Sequence, residues 1–254
     1  MKKIKTKWKP LHLFLYHKDD DITRANYKQL CIFEAEENVQ PISAHYSYLP
    51  KTFRVDEGEW PIPNIHEHSL CDTLIYKYIL LNKQRVLESS AVCIIESDTW
   101  WQIKSKEWMR DSLLNNDIAG AKLYVFDPNN HKFEPMPSDN TTNWHYFEGN
   151  LHMPFALQMR SFVPLSVVCI KPKIAVAIAE FIKDNPIFHA FYNCELRIAT
   201  VANILGAKLG ELPLNIRKNI YWHGVGYTGE PGIYHSIKVL LQNVELPKKD
   251  KKKK

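Results

Sequence analysis

The stretch from Ala91 to Trp101 reads AVCIIESDTWW: small and apolar residues run into a Glu and an Asp one position apart, then into two tryptophans. Residues two apart in an extended chain face the same side, so Glu96 and Asp98 are expected to converge. Two carboxylates at one spot repel each other unless a cation or a set of hydroxyls satisfies them. A hard divalent ion such as Mn2+ or Mg2+ answers that chemistry, because it takes one or two carboxylates and fills its shell with substrate phosphate oxygens. The plain alternative is structural. Glu96 then pairs with a nearby lysine, and Asp98 caps a helix starting at Trp100.

Two further segments carry groups suited to the same chemistry. In Gly232–Lys238, GIYHSIK, a histidine and a lysine follow a Gly-rich approach. A histidine can complete a metal shell and a lysine can neutralise phosphate, although His235 also reads as an ordinary structural histidine. In Asn193–Thr200, NCELRIAT, Glu195 opens an apolar helix. There it either favours the helix dipole or serves as a general base beside a bound acceptor. Trp144, in a long polar loop, is a candidate to stack on an acceptor sugar, ahead of Trp100, Trp101, Tyr146 and Phe147. Arg160 reads as a surface ion-pair partner or a phosphate contact.

The elements that must position these groups follow from pattern. Leu11–Tyr16 is a short apolar run that predicts a first buried strand; the polar turn His17–Asp21 and a helix over 22–38, capped within Asp19–Asp21, come next. A second strand is expected over 41–49, a Pro- and Trp-rich connection over 59–65 and a helix over 69–81. The AVCIIE segment is the next strand, followed by a helix over 100–115 and a strand over 120–126. A loop is expected from Asp127 to about Pro154, a length that in a compact domain usually serves function. A strand over 165–170 and helices over 172–183 and 193–205, the last ended by Gly206, complete the pattern. Strands alternating with helices predict one α/β domain over 1–247 with a mixed, mostly parallel central sheet flanked by helices.

Composition limits the function classes. With 254 residues, 45% hydrophobic and 24% charged, the chain reads as an ordinary globular protein. No run approaches the 18 apolar residues of a membrane span, and the basic opening MKKIKTKWKP is followed by too short an apolar run for a signal peptide. Five scattered cysteines without a CxxC pair suggest buried free thiols in a reducing compartment, and hence a cytoplasmic protein. The formal charge of +5 belongs to the tail, where Lys248, Lys249 and Lys251 to Lys254 outnumber Asp250. Residues 248–254 are expected to be a disordered polybasic tail, with peripheral contact to anionic membrane as a second role. The body lacks a basic stripe interleaved with aromatics, so no nucleic-acid partner is expected.

The combination of LFLYHKDDD, a helix after WPIPN, IIESDTW, NCELRIAT and GIYHSIK resembles small bacterial and viral glycosyltransferases of the GT-A fold. The resemblance runs from Leu11 to Lys238. ESD departs from the usual D-x-D motif by the Glu in first place. The resemblance implies a single Rossmann-like domain that moves a sugar from a nucleotide-sugar donor to a hydroxyl of a glycan or lipid-linked acceptor, using Mn2+ or Mg2+. It implies that Asp98 holds the metal on the donor diphosphate, with His235 as a late metal ligand. Glu96 would contact the donor sugar or ribose, and Lys238 the diphosphate. Glu195 matches the base of inverting members, and His17 and Asp20 fall where such enzymes bind the nucleotide. Two alternatives remain: a nucleotidyltransferase-like enzyme on a related fold, and a non-catalytic sugar-nucleotide-binding protein.

Overall fold

Six residues, PLHLFL, form strand β1 (Pro10–Leu15), and every one of them is buried. Leu11, Leu13 and Leu15 face one hydrophobic cluster; Phe14 faces another. A strand covered on both sides belongs to the middle of an α/β sandwich, and the computed structural model places it there. The structure describes residues 8–54, 67–127, 132–134, 156–162, 164–185, 188, 194–220, 227–235 and 237.

The chain continues through α1 (Asp21–Phe33), β2 (Val39–Ile42), α2 (Glu67–Leu81), α3 (Lys83–Glu88) and β3 (Ala91–Glu96). Then come β4 (Trp100–Trp101), α4 (Lys106–Asn115), β5 (Ile118–Gly120), β6 (Leu123–Asp127) and β7 (Lys132–Glu134). The last elements are β8 (Arg160–Phe162), β9 (Val167–Ile170), α5 (Pro172–Asp184), α6 (Cys194–Ile204), β10 (Leu209–Glu211), α7 (Leu214–Arg217) and β11 (Ile233–Tyr234).

The main sheet has the order β10-β5-β9-β3-β1-β2. Only β9 runs against its neighbours, so the sheet is mixed and mostly parallel. Helices cover both faces. One cluster joins Val92, Ile94 and Ile170 to residues of α2, α5 and α6; the other joins Cys93, Ile95 and Val167 to residues of α1, α4 and α7. Two small antiparallel sheets, β7-β6-β8 and β11-β4, are separate from the main sheet.

Several expected boundaries move, each for a local reason. The strand expected over 41–49 is β2, which ends at Ile42 because the Ser43 hydroxyl accepts from the His45 and Tyr46 N–H groups and turns the chain. The single strand expected over 120–126 is two strands, β5 and β6, in different sheets. The helix expected from Trp100 begins instead at Lys106, since Trp100 and Trp101 pair with Tyr234 and Ile233. Strand β7 lies inside the stretch expected to be loop. Gly206 ends α6 in the left-handed conformation, φ 72°, as a C-terminal glycine should. The connection over 59–65, Trp144, Tyr146, Phe147, Lys238 and the tail 248–254 lie outside the described residues. Among the described residues, no helix is long and apolar enough to cross a membrane.

Cys93 and Cys169 oppose each other across β3 and β9 as free thiols. Burial pushes both thiols up, Cys169 to about 12, so they stay protonated and pack as small apolar groups.

The far end of the sheet is tied by Asp117. Its carboxylate accepts from the Lys208 backbone N–H at 2.8 Å and the Lys171 ammonium at 2.9 Å, joining β5 to β10 and to the start of α5. The Lys208 hydrogen bond, then the Lys171 one, holds this carboxyl below its usual range. Asp117→Ala is therefore expected to cost about 1–3 kcal/mol at neutral pH. A depressed carboxyl stabilises above its unfolded pKa and loses that contribution as pH falls through the folded one. Urea denaturation curves of wild type and variant should thus converge as pH drops below about 4.

Candidate metal centre

β1 and β3 lie side by side and parallel, with Leu15 opposite Glu96, so both strands deliver their following residues to the same edge of the sheet. Ligands of open α/β sheets collect at such carboxyl edges. Glu96 is the last residue of β3, and a tight turn closed by the Thr99 N–H on the Glu96 carbonyl, 3.1 Å, carries Ser97 and Asp98. The turn is anchored from two sides. Ser166, just ahead of β9, accepts from the Glu96 N–H at 3.2 Å and from the Thr99 hydroxyl at 3.3 Å. The Asn26 amide of α1 donates to the Ser97 carbonyl at 2.7 Å.

The partner of this turn comes from the far end of the described chain. β4 leaves the turn and pairs antiparallel with β11, Trp101 opposite Ile233 and Trp100 opposite Tyr234. Period-two alternation sends Trp101 and Ile233 into the core under α4, and Trp100 and Tyr234 into a separate small cluster with Ile237. His235 follows directly. Its backbone N–H donates to the Asn219 carbonyl, 3.2 Å, and the Ile237 N–H donates to the Asp98 carbonyl, 2.9 Å.

These contacts place the His235 Nε2 3.0 Å from Asp98 Oδ1 and 3.4 Å from Glu96 Oε2. One ligand atom from each of the three residues lies within 4.8 Å of the others. His235 is buried, whereas both carboxylates are partly open to solvent. Burial pushes the imidazole pKa down, but the hydrogen bonds to Asp98 and Glu96 outweigh that and raise it to about 10. In the metal-free protein a proton on His235 thus relieves the repulsion between the carboxylates. With neutral imidazole the cluster carries two negative charges, which a divalent cation would balance. Carboxylate oxygens with one imidazole suit Mn2+, and with less preference Mg2+. The residues fit such an ion.

The structural alternative for Asp98 fails, because there is no helix at Trp100 for it to cap. Among the described residues, none of the other expected site residues belongs to this three-residue cluster. Asp20 is the N-cap of α1, accepting from the Thr23 N–H at 2.8 Å, and His17 lies half-buried just past β1. Glu195 sits buried in the first turn of α6, where an acid suits the helix dipole. Arg160 is half-buried, and its guanidinium turns onto the Leu157 and Met159 carbonyls.

Two residues escape sequence reasoning. Arg24 ion-pairs with both Asp19 and Asp21 and lies 4.5 Å over the Tyr48 ring, offsetting much of the negative charge of the HKDDD turn. Its spacing of three from Asp21 is the signal that could have found it. Asn26 is the other; an asparagine in a helix interior is a poor helix former and so asks for a separate reason.

No protein-family model matches the sequence, and no curated protein matches it. Among solved structures, the chain is similar to an apo structure of the bifunctional glycosyltransferase WbbM. The identity is 12%, the coverage 85% of this chain and 40% of that one, and the TM-score 0.42. The chain spans less than half of that protein's length.

The raised imidazole pKa contributes to the pH response of the metal-free protein. Its folded value lies above the ordinary 6.5, so the stabilisation from the charged imidazole is complete below about pH 6.5 and fades as pH rises towards about 10. With a chelator present, the melting-point difference between wild type and His235→Gln should therefore be largest at mildly acidic pH and shrink steadily through alkaline pH.

Proposed function

We propose that this chain is a metal-dependent glycosyltransferase that uses a nucleotide-sugar donor. The observation that carries the reading is the convergence of Glu96, Asp98 and His235 at the carboxyl edge of the sheet. The resemblance of IIESDTW and GIYHSIK to GT-A glycosyltransferase motifs supports the same reading independently of the geometry.

Asp98 and His235 are the proposed ligands of Mn2+ or Mg2+. Glu96 shares their spot, which favours a role at the metal over the sugar contact implied by the motif. When bound, the ion would neutralise negative charge that develops on a departing nucleoside diphosphate. Lys238 follows Ile237, whose N–H is fastened to Asp98, and is assigned to the diphosphate as a second cation. His17 and Asp20, past the neighbouring strand, are assigned to the nucleoside side. Glu195 is the proposed base that takes the acceptor hydroxyl proton in an inverting transfer, and Trp144 an acceptor-sugar contact. The proposed acceptor is a glycan or lipid-linked hydroxyl, with the Lys tail on anionic membrane. One observation favours a second reading, a non-catalytic sugar-nucleotide-binding protein: a protonated His235 satisfies both carboxylates without any metal.

The two readings separate in a thermal-shift panel of UDP-, GDP-, CMP- and dTDP-sugars, with and without Mn2+, on wild type and Asp98→Ala. The transferase reading expects a metal-dependent shift with one base class that is absent from the variant. Saturation at 100 times the dissociation constant corresponds to about 2.7 kcal/mol of stabilisation. No shift with any donor would overturn it. Glu195→Gln should leave donor binding intact and lower sugar transfer by about 10²–10⁴-fold; unchanged turnover would remove Glu195 from the reaction.

A further inference from the structure

Asn26 lies inside α1, 1% exposed, and its side-chain amide reaches out of the helix to the Ser97 carbonyl, 2.7 Å away and 71 residues on in the sequence. Ser97 stands between Glu96 and Asp98. Its carbonyl belongs to the peptide unit whose nitrogen is that of Asp98, and a peptide unit is planar. Fixing the carbonyl direction therefore fixes the plane from which the Asp98 side chain departs. The Glu96 N–H on Ser166 and the Asp98 carbonyl on Ile237 fasten these two acids backbone to backbone. The peptide between them is held by a side chain.

We propose that Asn26 is a positioning residue for the Glu96–Asp98–His235 metal centre. By holding the Ser97 carbonyl it sets the angle between the two carboxylates before any ion binds. Without the amide, the Ser97 peptide can rotate towards another donor and carry Asp98 away from His235. Partners that orient metal ligands typically contribute 10–100-fold to metal affinity. The inference rests on reading the cluster as a metal site.

The test is Mn2+ affinity of the full chain, by calorimetry and by the EPR signal of free Mn2+, alongside metal-free melting in chelator. Asn26→Ala removes the amide and favours the helix; Asn26→Leu removes it while keeping the branched shape, and decides the matter if the alanine variant does not fold. Asp117→Ala, at the other end of the sheet, controls for general loosening. The expected result is Mn2+ affinity 10–100-fold weaker in the Asn26 variants and unchanged in Asp117→Ala, with metal-free melting of the Asn26 variants no lower than that of the control. Wild-type affinity in a folded Asn26 variant, or equal weakening in Asp117→Ala, would overturn the inference. Asp98→Ala separates the two levels: if wild type binds no Mn2+, or Asp98→Ala binds it as well as wild type, the metal reading itself has failed.

Discussion

Two carboxylates held at the end of a buried strand repel each other, and the arrangement of this protein around Glu96 and Asp98 is governed by what relieves that repulsion. The register of β3 against β1 fixes Glu96 at the end of its strand, and Asp98 follows in the turn. The turn that carries them is fastened to Ser166, just ahead of β9, and to Asn26 of α1. Relief comes from His235, whose ring nitrogen sits 3.0 Å from one acid and 3.4 Å from the other. A proton or a divalent ion can hold that position, and the same geometry serves both.

What delivers His235 is a two-residue strand pair. β4 and β11 are too short to be stable alone, yet their tryptophan, tyrosine and isoleucine side chains are buried in two separate clusters. Packing on both sides replaces the length that a longer hairpin would need. The N–H groups of His235 and Ile237, on Asn219 and Asp98 respectively, then fix the backbone on either side of the ring. A site assembled from segments so distant in sequence loses its geometry if either half shifts, which is why the anchoring of the turn matters as much as the ligands.

The architecture was largely legible in the sequence. Apolar runs marked β1, β3 and β9, and Pro172 and Gly206 marked the start of α5 and the end of α6, because these signals are local. Among the misread segments is Trp100–Trp101, taken for the start of a helix. Nothing within ten residues of it reveals a partner at Ile233–Tyr234, and non-local pairing overrides the local pattern there. In the site, Glu96, Asp98 and His235 were identified by type and motif, while their supports were not. Asn26 acts through one hydrogen bond to backbone, and the Ser166 carbonyl accepts from the Glu96 N–H and the Thr99 hydroxyl; only the fold brings these groups near. Asp20 was read both as a helix cap and as a nucleotide contact, and the structure exhibits the cap.

In the proposed function Glu96, Asp98 and His235 together hold one divalent ion. Diffraction from crystals grown with Mn2+, recorded at the manganese edge, tests it most directly. A single strong anomalous peak is expected within coordinating distance of the Asp98 and His235 side chains, with Glu96 in the same shell. A peak elsewhere, or none while the His235 nitrogen remains between the two carboxylates, would contradict it and leave the cluster a proton-bridged ion pair.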